Sequence, residues 1–79
     1  MSGHAGQVMQ IRNVKINGRR TSIRLEPTLW DAIEDICRRE GLGLDDLCNR
    51  VAAERPASNF TSSLRCWVVD YYRGTLAAA

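Results

Sequence analysis

The segment Arg19–Leu25 limits the possible folds of this chain more than any other stretch. Its side chains form a polar set and a largely apolar set: Arg20, Ser22 and Arg24 on one side, Thr21, Ile23 and Leu25 on the other. This period of two, with β-branched residues, predicts a half-buried strand. Pro27 ends the strand, because proline has no N–H to donate, while its fixed φ suits the first turn of a helix. A lone strand cannot satisfy its own edges, so this one requires a partner strand.

A candidate partner strand lies immediately upstream. Residues 13–16 show partial alternation, and Asn17-Gly18 follows them as a strong signal for a type I′ turn. Taken alone, these residues favour a hairpin in which residues 13–16 pair with residues 19–25.

Three later segments carry apolar residues at helical spacing. We predict helices over residues 28–40, 44–55 and 60–73, the first ended by Gly41 and the second by Pro56. The strand and the helices together supply the candidate core and dimer residues: Ile23, Leu25, Leu29, Trp30, Ile33, Ile36, Leu47, Val51, Leu64 and Trp67.

The length of the chain predicts a single domain over residues 1–79, with residues 1–8 disordered. A domain of this size buries only about 60% of its unfolded surface and is commonly reinforced by disulfides, a metal or oligomerisation. The three cysteines are odd in number and far apart, which favours reduced thiols in the cytoplasm. Oligomerisation remains, so we expect a homodimer whose monomer would leave too much apolar surface exposed.

Charge is distributed unevenly along the chain. Residues 1–25 contain five basic residues and no acid, whereas the remainder contains six arginines and nine acids. A basic end attached to an acidic helical body suggests an anionic partner for the strand region. A solvated basic arm without a partner is the alternative interpretation.

The sequence offers no recognisable catalytic arrangement. The sole histidine, His4, lies in the segment predicted to be disordered, so a Ser–His or Cys–His pair lacks its general base. The longest unbroken apolar run, Cys66–Val69, is far too short to cross a bilayer. We therefore expect a protein that is not an enzyme, with no cofactor, metal, membrane attachment or small-molecule substrate.

Several motifs relate the chain to a known family. Thr21–Leu25 reads TSIRL before a helix, Arg39–Leu42 reads REGL between two helices, and Asn59–Arg65 reads NFTSSLR. From Val14 to Arg73 the chain resembles the ribbon-helix-helix DNA-binding proteins, the superfamily of the Arc and methionine repressors, and in particular its small bacterial members.

This resemblance implies a mostly α fold with one short β-strand and an additional C-terminal helix. It also implies an intertwined homodimer, in which the strands of two chains form an intermolecular two-stranded antiparallel ribbon. It thus prefers an intermolecular ribbon to the hairpin, while the residues themselves leave both arrangements open. Both hold together if residues 8–16 flank the intermolecular pair.

The resemblance also assigns DNA contacts to particular residues. Two groups follow from it: Arg20, Ser22 and Arg24 for base reading in the major groove, and Arg19, Gly43 and Leu44 for the phosphate backbone. An arginine can donate two hydrogen bonds to one guanine, which suits the first group. Many relatives have Ser or Thr where this chain has Gly43, and the neighbouring Asp45 and Asp46 would repel a phosphate.

Two functions are compatible with this pattern. The first is a sequence-specific DNA-binding protein, a transcriptional regulator that inserts a dimeric β-ribbon into the major groove. The alternative is a dimeric protein-interaction module of antitoxin type, which binds a protein partner with weak or no DNA binding. The basic strand favours the regulator, whereas the acidic opening of the second helix and the aromatic third helix favour the module.

Overall fold

The computed structural model describes residues 8–55 and 58–78. Two strands and three helices follow one another: β1 (Gln10–Ile16), β2 (Arg19–Leu25), α1 (Pro27–Glu40), α2 (Leu44–Glu54) and α3 (Phe60–Ala78). β2 spans the residues predicted for the strand, whereas α3 continues five residues beyond its predicted end. The predicted disorder of residues 1–8 falls, apart from Val8, outside the described residues.

β1 and β2 pair with each other within one chain, so the prediction of a single strand was wrong. The antiparallel register opposes Ile16 to Arg19 across a two-residue turn. Asn17 and Gly18 in that turn have positive φ values of 53° and 80°. A turn with two positive φ angles matches the right-handed twist of its strands, and so short a loop costs little chain entropy. The hairpin favoured by the residues therefore forms, and it is longer than predicted.

The start of α2 fastens the turn end of the hairpin to the helices. The N–H of Lys15 donates to Asp45 Oδ1 at 3.0 Å, and Asn49 Nδ2 donates to the Lys15 carbonyl oxygen at 2.9 Å. The N–H of Asn17 donates to Asn49 Oδ1 at 2.8 Å. Both backbone groups of Lys15 thus point toward α2 and away from β2. Its opposite residue, Arg20, consequently directs its own backbone groups away from β1.

The core is built from one face of the hairpin and from all three helices. Its buried apolar side chains are at most 3% exposed: Val14, Ile23, Leu25, Trp30, Ile33, Ile36, Leu47, Cys48, Val51, Leu64 and Val68. Of the predicted core residues, Leu29 and Trp67 are partly buried and pack against this set, and the others belong to it. A single chain therefore buries most of its apolar stripes, and the expected homodimer stays a prediction.

Three aromatic side chains of α3 donate hydrogen bonds to carboxylates on α1 and α2. Three donors meet three carboxylates: Trp67 Nε1 to Glu54 at 2.9 Å, Tyr71 hydroxyl to Glu40 at 2.6 Å and Tyr72 hydroxyl to Asp35 at 2.8 Å. Burial, followed by the bond to Asp35, raises the pKa of Tyr72. These contacts hold α3 against α1 and α2 through its polar atoms as well as its apolar ones.

Replacing Ile23 by alanine tests the buried side of β2. Ile23 is 2% exposed, so truncation leaves a cavity beneath the sheet and is expected to lower the free energy of unfolding by about 2–5 kcal/mol. Arg24→Ala, at the neighbouring exposed position, is the matched control and is expected to change that free energy by less than about 0.5 kcal/mol. Urea denaturation followed by circular dichroism measures both, and equal losses would contradict the assignment of the two faces.

Candidate nucleic-acid interface

The hairpin turns one face away from the helices, and we call its six exposed side chains the outer face. They form three cross-strand pairs: Ile11↔Arg24, Asn13↔Ser22 and Lys15↔Arg20. The buried Val14 and Ile23 alternate with them along the strands, as the pleat requires. The structure thus brings the predicted base-reading residues together on one open surface, beside β1 residues that were not predicted.

A hydrogen bond joins the two strands at the middle of the outer face. Ser22 Oγ donates to Asn13 Oδ1 at 2.7 Å, because directly opposed side chains of an antiparallel pair lie close together. The bond uses the single hydroxyl proton of Ser22, so this hydroxyl can accept a hydrogen bond from a ligand but cannot donate one. Asn13 keeps its Nδ2 donors, which meet no protein partner within residues 8–55 and 58–78.

Within the described part of the chain, the cationic side chains of the outer face have no acidic partners. The ion pairs of the described residues use other arginines: Arg12–Glu34, Arg38–Asp35, Arg39–Asp35, Arg55–Asp70 and Arg65–Glu26. Lys15, Arg20 and Arg24 form no ion pair in the part of the chain that the structure describes. Uncompensated positive charge on an exposed sheet favours a polyanionic partner.

Two further arginines of the hairpin lie off the outer face. Arg12 turns inward, where its guanidinium is 2.6 Å from a Glu34 oxygen and 4.9 Å from the centroid of the Trp30 ring. Arg19, predicted to contact phosphate, lies at the turn end on the opposite side of β2 from Arg20. The period of two therefore separates Arg19 from the base-reading set.

The opening of α2 presents carboxylates where the resemblance places phosphate contacts. The N–H of Gly43 donates to Asp46 Oδ2 at 3.3 Å, and Asp45 is bonded to the N–H of Lys15. Negative charge at this position suits the helix dipole but repels a phosphate. The contacts assigned to Gly43 and Leu44 stay a prediction, and a phosphate that makes them has to displace the Asp46 carboxylate.

β2 has an open edge beside the outer face. Arg20 and every second residue along β2, Ser22 and Arg24, direct their N–H and C=O groups away from β1. Among the described residues, none of these three makes a backbone hydrogen bond at that edge. The outer edge of β1 is instead bonded to α2 at Lys15. An unpaired strand edge is a template for a further strand.

Sequence reasoning missed Asn13 and Lys15, although a signal for both was present. Although Ile11 and Arg12 break the pattern, residues 13–16 alternate up to the Asn17-Gly18 turn. Folding them back about a two-residue loop places both side chains on the outer face. The predicted base-reading set was drawn from β2 alone and assigned no DNA contact to the residues before the turn.

Other kinds of site have little support in the described residues. None of their His, Cys, Asp and Glu side chains are grouped so that three or more could hold a metal ion. Burial, with a smaller contribution from Asp45, raises the pKa of the Cys48 thiol to about 12. That thiol is therefore protonated and a poor nucleophile at neutral pH. None of the described helices combines the length and the hydrophobicity needed to cross a membrane.

Comparisons with known proteins agree with this architecture. The ribbon-helix-helix domain family matches residues 9–72, which include both strands. Among solved structures, an uncharacterized protein from Bordetella pertussis Tohama I is 30% identical in sequence, with a TM-score of 0.76. That alignment covers 98% of this chain and 66% of the Bordetella chain, so the present chain spans slightly less than two thirds of that protein. No curated protein matches the chain.

The two classes of arginine in the hairpin should differ in their effect on stability. Arg20→Ala removes an exposed side chain with no ion pair among the described residues and is expected to change the free energy of unfolding by less than about 0.5 kcal/mol. Arg12→Ala removes the ion pair with Glu34 and the packing on Trp30, and should cost about 1 kcal/mol. Urea denaturation at one ionic strength compares them. A larger loss for Arg20→Ala would mean that the outer face serves stability.

Proposed function

Because the chain belongs to the ribbon-helix-helix domain family, we propose that it is a sequence-specific DNA-binding protein and acts as a transcriptional regulator. The observation that carries this proposal is that cations with no ion pair among the described residues lie on the outer face, beside an open edge of β2. In this proposal the protein works as a homodimer in the cytoplasm and has no enzymatic activity.

The proposed dimer forms by pairing the open edges of two β2 strands. An antiparallel pair about a two-fold axis is self-complementary, since each chain offers the same edge. Pairing centred on Ser22 places Arg20 of one chain opposite Arg24 of the other. The arginines then stand close together, and like charges directly opposed across strands are destabilising. A polyanion bound to this face would relieve that repulsion.

The paired β2 strands supply the DNA-reading ribbon of this proposal. The major groove admits a two-stranded β-ribbon, and arginine donates bidentate hydrogen bonds to O6 and N7 of guanine. Ser22 contributes an acceptor, since its proton is donated to Asn13. Arg20 and Arg24 are free to turn toward bases, because neither is held by an acid among the described residues.

The protein-interaction module of antitoxin type has weaker support. Its main argument was the aromatic surface of α3, yet the indole N–H of Trp67 and the hydroxyls of Tyr71 and Tyr72 donate to carboxylates of the same chain. Its second argument was the acidic opening of α2, where Asp45 and Asp46 each accept a backbone N–H. Both features thus have uses within the fold, whereas the cations of the outer face do not.

DNA binding is tested with a duplex selected from a random library by the wild-type protein. The logarithm of the association constant should fall with the logarithm of salt concentration by about 0.9 for each phosphate neutralised. Arg20→Ala and Arg24→Ala should each weaken binding by about 1–3 kcal/mol for every bidentate pair of hydrogen bonds that the substitution removes.

Arg73→Ala is the control for that experiment, because Arg73 is exposed on α3 and forms no ion pair among the described residues. It should bind like the wild type. Selection of no duplex, or equal binding by all three variants, would contradict the proposal and favour a protein partner.

The dimer interface is tested at a backbone position. Ser22→Pro removes an N–H that faces away from β1, so the hairpin should persist while pairing of the two β2 edges is blocked. We expect a folded monomer by sedimentation equilibrium and circular dichroism, while Ser22→Ala stays dimeric. A dimer that survives Ser22→Pro would exclude this edge as the interface.

A further inference from the structure

The width of the proposed dimeric sheet limits which of its strands can enter the major groove of DNA. Pairing of two β2 edges gives the strand order β1-β2-β2-β1, because α2 occupies the outer edge of β1 at Lys15. Three spacings between neighbouring strands separate the two outer strands by about 14 Å. The major groove is only about 12 Å wide. The central β2 strands fit between its walls, and the β1 strands then lie over the phosphates on either side.

From this geometry we infer that β1 makes the phosphate contacts of this protein, chiefly through Lys15. The inference rests on the proposed function and names residues that hold the duplex in it. Lys15 stands on the outer face opposite Arg20, is exposed, and forms no ion pair among the described residues. A lysine side chain is a mobile cation with three donors, which suits a phosphate and carries no base preference.

Asn13 extends the same contact line on β1. Its Oδ1 is held by Ser22 Oγ, which orients the amide so that Nδ2 is available to a second acceptor. On a strand that lies over the groove wall, the nearest acceptors are phosphate oxygens. The bond to Ser22 thereby links a phosphate-contacting side chain on β1 to a base-facing one on β2.

The opening of α2 is poorly suited to the same task. The N–H of Gly43, the residue before α2, already meets the Asp46 carboxylate, and Asp45 lies against the backbone of Lys15. These carboxylates lie near the end of β1, so a phosphate is attracted by the lysine side chain and repelled by the start of the helix. The phosphate contacts therefore lie on β1 in this inference, and the start of α2 makes none.

The test compares salt dependence in Lys15→Gln and Arg73→Gln, each of which removes one exposed positive charge. On the duplex selected by the wild type, Lys15→Gln should reduce the steepness of log K against log salt by about 1.8, since the dimer then neutralises two fewer phosphates at about 0.9 each. It should weaken binding to unrelated duplexes by the same factor, because phosphate contacts carry no sequence preference. Arg73→Gln should leave both quantities unchanged.

A third variant examines the helix directly. Gly43→Pro removes one of the two backbone N–H groups, with that of Leu44, that a phosphate at α2 would use, and the φ of −81° at this position is close to that of proline. A backbone N–H carries no charge, so its loss is measured by the affinity and not by the salt slope, and this variant should bind as tightly as the wild type. An unchanged slope in Lys15→Gln, or weaker binding by Gly43→Pro, would overturn the inference and leave the proposed function standing. A wild-type protein that binds no duplex would instead remove the proposed function.

Discussion

The two-residue turn at Asn17-Gly18 is the constraint on which the rest of the structure depends. By fixing the register of β1 against β2, it decides which side chains enter the core and which form the outer face. The register also sets the direction of the backbone hydrogen-bonding groups. Their alternation leaves one edge of β2 open and turns the N–H and C=O groups of Lys15 toward α2. A slip of one residue would bury Arg24 and expose Ile23.

The register also divides charges that the sequence places together. Arg12 and Arg24 both belong to the acid-free N-terminal stretch, yet one lies on Trp30 and the other faces solvent. Arg12 therefore contributes to the packing of the hairpin on α1, through Glu34 as well as the indole. The cations left on the outer face perform no comparable structural task, which is why they are the ones available to a polyanion.

Folding and assembly are separable in this arrangement. The core closes within one chain, with α3 supplying Leu64 and Val68 above the strands and the other helices. Among its described residues, a single chain leaves a row of backbone groups on β2 unpaired and leaves apolar side chains such as Ile11 and Val69 exposed. A dimer formed at that row would rest on hydrogen bonds and would bring two outer faces into one continuous sheet.

The sequence by itself determined β2, the three helices and most of the core. The strand at residues 19–25, the three helices and side chains such as Ile33 and Leu47 follow from local periodicity, which reports how a segment meets its surroundings whatever those surroundings are. The same periodicity placed Arg20, Ser22 and Arg24 on one exposed side.

The tertiary structure decided between the two arrangements that the sequence left open for β2, and it decided what surrounds the outer face. The residues left both a hairpin and an intermolecular ribbon open. Several segments of one or two chains can pair with the same strand edge, and a local pattern does not record which of them does. Asp45 and Asn49 hold β1 through hydrogen bonds between segments some 30 residues apart. The bond from the Gly43 N–H to Asp46 depends on the path of the loop before α2. The contacts of Asp45 and Asn49 hold β1 against α2, beside the outer face on which the register places Lys15 and Asn13.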